Sequence, residues 1–170
     1  MRTFFGTVPL SALALAVSIV IAVALSTRAA AWLQSRRSVA ALVLLGFGLV
    51  ISATLVPTGA ALDGIPSDGV CDTSRLGLAS IEELTSVNTS SLNVLLFVPL
   101  GFALGLLPLT RPATVVAVAA ASLTFVVEAI QLLLPLLGRG CQTADLVDNL
   151  MGLAIGVVMG LLARPLLART

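Results

Sequence analysis

The sequence predicts an all-α integral membrane protein with five transmembrane helices, and three observations lead there. Hydrophobic residues make up 58% of the 170-residue chain and charged residues only 10%, against about a quarter charged in soluble domains. Mean hydropathy is +1.13. Five apolar stretches, about 8–25, 38–56, 92–109, 113–135 and 145–163, approach or exceed the roughly 20 residues needed to cross a bilayer core about 30 Å thick. The chain 1–170 therefore reads as one polytopic domain whose first partner is the lipid bilayer. Its net charge of +1 and the absence of any basic run argue against a nucleic-acid partner.

The first stretch has two readings. Arg2, the apolar run and Ala29, Ala30 and Ala31 resemble a cleavable signal segment. The stronger positive charge, however, follows the run, at Arg28, Arg36 and Arg37, and opposes translocation of what comes next, which favours a retained first helix. With Arg111, Arg164 and Arg169, these arginines all fall on one side of a five-helix topology. The other side holds Arg2, Arg75 and Arg139 together with Asp63, Asp68, Asp72, Glu82 and Glu83. Short-loop positive charge marks the cytoplasmic side, so the N-terminus is expected outside and the C-terminus inside.

Residues 57–91 form the one sizeable aqueous loop, expected outside. Within it, Ser80 and Glu83 have capping-box spacing and predict a short helix from about Ile81. Asn88-Thr89-Ser90 matches a glycosylation acceptor, a triplet frequent by chance. Cys71 lies in this loop and Cys141 in the loop before the last span. Both fall on the outer side, where a disulfide would persist; the alternative is two unpaired thiols.

The last three stretches carry small-residue stripes. Asn93, Phe97, Gly101 and Gly105 recur every fourth residue in the third span, with Pro99 expected to kink it. Gly152, Gly156 and Gly160 do the same in the fifth. Such stripes let helix backbones approach closely, so spans three to five are expected to pack as the core, with a structural role for these glycines. In the fourth span Ala117, Ala121, Thr124, Glu128 and Gln131 share one face.

Glu128 is the candidate functional residue, because an ionisable side chain within an apolar span is a functional-site hypothesis by default. Gln131, Arg139, Asp145, Asp148, Asn149 and Asn93 complete a polar site on the same membrane border. Each has a plainer reading. Glu128 could pair with Arg139 and fix helix register, and Asp145 could be the N-cap of the last helix. The chain has no histidine and no tyrosine, so an imidazole base or a Ser-His-Asp triad is excluded. Carboxylates are the remaining acid-base groups. Arg139 suits a phosphate or carboxylate, and Glu128, Asp145 and Asp148 could hold Mg²⁺ on a pyrophosphate, as part of an enzymatic alternative.

Asn93-Val-Leu-Leu-Phe97-Val-Pro99-Leu-Gly101-Phe, Glu128-Ala-Ile-Gln131, and the run from Arg139 through Asp145 to Asn149-Leu-Met-Gly152-Leu-Ala-Ile-Gly156 together resemble the VanZ-like membrane protein family over about 93–160. The resemblance implies an all-helical bacterial plasma-membrane protein. The family's founding member lowers susceptibility to the glycopeptide teicoplanin, and no enzymatic activity or cofactor comes with the family. The positions that transfer are Asn93, Pro99, Gly101, Glu128, Gln131, Arg139, Asp145, Asn149 and Gly152. Many relatives carry an aspartate where this chain has Gln142, which weakens any metal site built on that acid; no metal is expected.

Three functions follow as expectations. The leading one is a non-enzymatic envelope protein that binds a lipid-linked cell-wall precursor or the lipid anchor of a glycopeptide at an outward-facing polar site. The second is an enzyme acting on a lipid phosphate or pyrophosphate through Glu128 and Arg139. The third is a structural subunit of an envelope complex, its polar cluster locking helix packing.

Overall fold

The computed structural model describes residues 4–167, with side chains placed from Leu10 to Leu166; Arg2 and Arg169 lie outside the described residues. The chain is built from helices α1 (Phe4–Leu33), α2 (Arg37–Thr54), α3 (Gly59–Leu62), α4 (Ile81–Thr85), α5 (Thr89–Gly105), α6 (Arg111–Leu133) and α7 (Thr143–Leu167). Two short strands, β1 (Cys71–Asp72) and β2 (Cys141–Gln142), pair in parallel with Cys71 opposite Cys141.

Among the described residues, four helical segments are long and apolar enough to cross a membrane: Leu10–Leu33, Arg37–Thr54, Arg111–Leu133 and Thr143–Leu166. The third expected span, α5, is shorter at 17 residues, or about 25 Å at 1.5 Å per residue. Its N-terminus is set by Asn88, whose side chain accepts from the Ser91 N–H while the Ser91 hydroxyl accepts from the Asn88 N–H. The Asn88 amide nitrogen donates to the Glu83 carbonyl and Ser86 hydroxyl, so the side chain in the glycosylation-like triplet serves as a cap. Pro99 lies inside α5, which runs on as one helix to Gly105.

Other boundaries also have local causes. Helix α1 extends to Leu33, two turns beyond the apolar stretch expected from sequence, because Arg28 and the alanines that follow are good helix formers. Thr110 caps α6 by accepting from the Ala113 N–H, and Pro135 starts a 3₁₀ turn at its far end. The short helix expected near Ile81 is α4, and both hydrogen bonds of its Ser80–Glu83 capping box are present.

Helix α5 is central, packed between α2 and α7, with Phe97 and Leu100 fully buried in the core. Its contact with α7 is backbone on backbone. A Cβ on Gly101 would overlap the Leu153 carbonyl, one on Gly105 the Val157 carbonyl, and one on Gly152 the Val94 carbonyl. Gly156 and Gly160 meet Val98 and Phe102 in the same way. Dispersion and close approach hold such an interface where lipid removes the hydrophobic driving force. Helix α2 joins through Gly46 against Leu100, and α1 packs on α2 through Gly48 against Ser18. Helix α6 packs far less closely on α5 and α7, and that separation opens a cavity.

The loops from Leu55 to Asn88 and from Leu134 to Gln142 meet at one end of the bundle, joined by the Cys71–Cys141 disulfide, whose Cα atoms are 4.5 Å apart. The Thr58 N–H donates to the Leu137 carbonyl and the Ser67 N–H to the Pro135 carbonyl. Gly138, with φ of 63°, turns the chain where a side chain would meet Thr58 Oγ1. All eight acidic residues of the chain, from Asp63 to Asp148, belong to this end.

Candidate functional site

At the disulfide end, the C-terminal turns of α2 and α6 and the N-terminal turns of α5 and α7 enclose a cavity of about 700 Å³. Its wall is divided by polarity. Glu128 and Gln131 come from α6, Asn93 from α5, Asp145 and Asn149 from α7, and Arg139 from the preceding loop. The apolar part is Leu92, Leu95 and Leu96 of α5 with Val127 of α6 and Ala53 of α2. Leu95 is 63% exposed on the outer surface of the bundle.

Six of the seven candidate polar residues thus line one cavity. The spacing along α6 explains part of this: Thr124, Glu128 and Gln131 are all buried on one face. Glu128 Oε2 accepts from the Gln142 backbone N–H at 2.8 Å. Gln131 Nε2 donates to the Thr54 carbonyl at 3.2 Å, an acceptor left over at the C-terminus of α2. Arg139 Nε donates to the Val56 carbonyl at 3.0 Å. Burial lowers the Arg139 pKa from its usual value, a direction that follows from removing water around a charge.

The Glu128–Arg139 pair, the plainer alternative reading of these two charges, is not formed: Glu128 accepts from a backbone amide and Arg139 donates to a carbonyl. The turn at Gly138 directs Arg139 toward the end of α2 rather than back along α6. Asp145 is likewise not an N-cap, because α7 begins at Thr143 and Asp145 lies inside its first turn.

Asp148, the seventh candidate, is fully buried beside the cavity wall and is not part of it. Its partner is Arg75, which sequence reading left aside as a loop charge. Arg75 Nη2 reaches Asp148 Oδ2 at 2.5 Å and also donates to Ser90 Oγ. The Asp148 hydrogen bond raises the Arg75 pKa. Thr143 Oγ1 donates to the Arg75 carbonyl at 2.8 Å, which fixes the loop on α7. The pairing of Cys71 with Cys141 is the sequence feature that places Arg75 near the start of α7.

Among the described residues, Asn149 Oδ1 and Asp148 Oδ1 are buried without a hydrogen-bond partner, whereas the Asn93 side chain engages the Asp145 carboxylate. Asn149 belongs to the cavity lining and offers an acceptor there. Buried polar atoms are nearly always satisfied, which sets Asn149 Oδ1 apart as an acceptor left open on the cavity wall. Among the described residues no three acidic or cysteine side chains cluster closely enough to hold a metal ion.

No curated protein and no solved structure matches the chain. A family model described as VanZ/LLP1 matches residues 11–164, a range that takes in α2 as well as the three helices whose motifs carry the likeness. With an all-helical apolar fold and a polar cavity formed where those motifs meet, the chain belongs to the VanZ/LLP1 family.

Proposed function

We propose that this protein binds an amphipathic, lipid-linked molecule of the bacterial cell envelope, or the lipid anchor of a glycopeptide such as teicoplanin, in the cavity between α6 and the α5–α7 pair, without covalent chemistry. In this reading it is a multi-pass protein of the bacterial plasma membrane. Helix α5 serves as a fifth span, the N-terminus and the cavity face outward, and the C-terminus lies inside, as the arginine distribution favours.

The observation that carries the reading is the divided wall of the cavity. Carboxylate, amide and guanidinium groups suit a polar headgroup, and exposed Leu92 and Leu95 offer a path for an acyl or prenyl chain from the bilayer. The unpartnered Asn149 Oδ1 supplies an acceptor for a donor of such a headgroup. A site of several hundred Å³, mostly apolar with a few placed polar groups, has the ordinary build of a ligand pocket.

The test is the amount of labelled teicoplanin held at the surface of otherwise sensitive bacteria expressing wild type or Glu128→Gln at matched membrane abundance. Wild type is expected to lower bound antibiotic and the variant to lose that effect. Equal binding in wild-type, variant and empty cells would remove the glycopeptide reading. Covalent turnover of a lipid phosphate by the purified protein would replace it with an enzymatic one.

A further inference from the structure

We infer that the molecule held in the disulfide-end cavity has a zwitterionic headgroup, with a primary ammonium as well as a phosphate, which makes an aminophospholipid the class of ligand this site takes. The inference rests on the reading that the cavity receives a lipid-linked molecule, and it names the headgroup. Among the described residues, the charged side chains lining the cavity are Glu128, Asp145 and Arg139. Glu128 and Arg139 face it without pairing: Glu128 Oε2 accepts from the Gln142 N–H, and Arg139 Nε donates to the Val56 carbonyl. The Asp145 carboxylate engages the Asn93 side chain. One wall therefore presents charges of both signs.

The bonds made within the protein use a small part of what these groups offer. An ionised carboxylate has about four lone-pair sites and a guanidinium five N–H groups, of which the Val56 carbonyl takes one. Asn149 is 2% exposed, and its Oδ1 has no partner among the described residues. Glu128 also lies near enough to feel the charge of Asp145, a repulsion that a cation between them relieves. A primary ammonium answers all three acceptors: it has a positive charge and three N–H donors, and bonds from a charged donor are about twice as strong as neutral ones. Arg139 suits the phosphate. A purely anionic headgroup would set its charge beside two carboxylates with one guanidinium to offset them. A quaternary ammonium has no N–H to give Asn149 Oδ1.

The experiment is native mass spectrometry of the full chain released from micelles containing equal amounts of phosphatidylethanolamine, phosphatidylcholine and phosphatidylglycerol. Wild type is expected to retain phosphatidylethanolamine over both. A hydrogen bond from a charged donor is worth about a tenfold change in affinity, so Asn149→Leu, which removes the acceptor at similar volume, is expected to cut the preference over phosphatidylcholine by about that factor. Ala53→Trp, which fills the apolar part of the cavity without changing charge, is expected to abolish the preference. Wild type retaining phosphatidylcholine equally, or phosphatidylglycerol more strongly, overturns the inference; if Ala53→Trp removes that retention, lipid binding in the cavity still stands. Retention of all three lipids that Ala53→Trp leaves unchanged overturns the inference and the lipid-binding reading together. A preference for phosphatidylethanolamine that survives Asn149→Leu intact overturns the inference without any need for the Ala53→Trp protein.

Discussion

Arg75 and Asp148 are 73 residues apart in sequence, yet their side chains meet at 2.5 Å, with the carboxylate fully buried and the guanidinium 23% exposed. The pair ties the 55–88 loop to the second turn of α7, next to the cavity. Removing one member of a buried pair leaves the other charge without compensation and costs about 3–5 kcal/mol, whereas replacing both can be neutral. Arg75→Met is therefore expected to lower thermal stability in detergent strongly. Arg75→Met with Asp148→Leu is expected to recover much of the loss, and a double variant no more stable than Arg75→Met would contradict this account.

The disulfide reinforces the same junction. It closes a loop with a sequence separation of 70, for which the chain-entropy relation gives about 4 kcal/mol of stabilisation. Neither cysteine of the native protein is expected to react with maleimide until a reductant is added, and Cys71→Ser is expected to melt well below wild type. The Arg75–Asp148 pair should weaken with it, because β1 sets the position of Arg75 against α7. Double-mutant coupling between Arg75→Met and Cys71→Ser measures that link, and strict additivity would refute it.

Helices announced themselves because a run of about 20 apolar residues has few other fates in a bilayer, and the glycine stripes were legible because four-residue spacing puts them on one helix face. Glu128, Gln131, Asp145 and Asn149 could be placed on one border for the same reason. The partners of these residues could not. Glu128 is held by the backbone of Gln142 and Arg139 by the carbonyl of Val56, and backbone groups carry no sequence signature. Arg75 became a site neighbour only through a disulfide and a two-residue strand pair, long-range links that local patterning does not encode. The contribution of α2, through Ala53 and Thr54, was hidden because small and hydroxylated residues are unremarkable in any membrane helix.

The α5–α7 interface makes a sharp distinction among glycines. A Cβ at Gly101 or Gly156 would collide with backbone atoms of the facing helix, whereas one at Gly77 meets nothing within 4 Å. Backbone cannot yield as a flexible side chain does, so Gly101→Ala and Gly156→Ala are each expected to destabilise by about 1–3 kcal/mol. Gly77→Ala is expected to be neutral. Thermal denaturation of the three variants in one detergent decides the matter, and equal midpoints would show that the helices do not pack on these stripes.

Substitutions at Glu128 can separate a binding role from a structural one. The carboxylate accepts the Gln142 N–H, and a glutamine in its place keeps an acceptor oxygen of nearly the same reach. Glu128→Gln is therefore expected to fold with a melting midpoint close to wild type while losing any effect that depends on the acid. Glu128→Leu keeps the volume but leaves the Gln142 N–H unpaired in a buried site, at a cost of about 1–3 kcal/mol. Comparing midpoints with surface-bound antibiotic for both variants gives two distinguishable patterns. Loss of function in Glu128→Gln at native stability assigns the carboxylate to the ligand. Loss that follows the midpoints in proportion assigns it to the packing of α6 against the loop that carries Gln142.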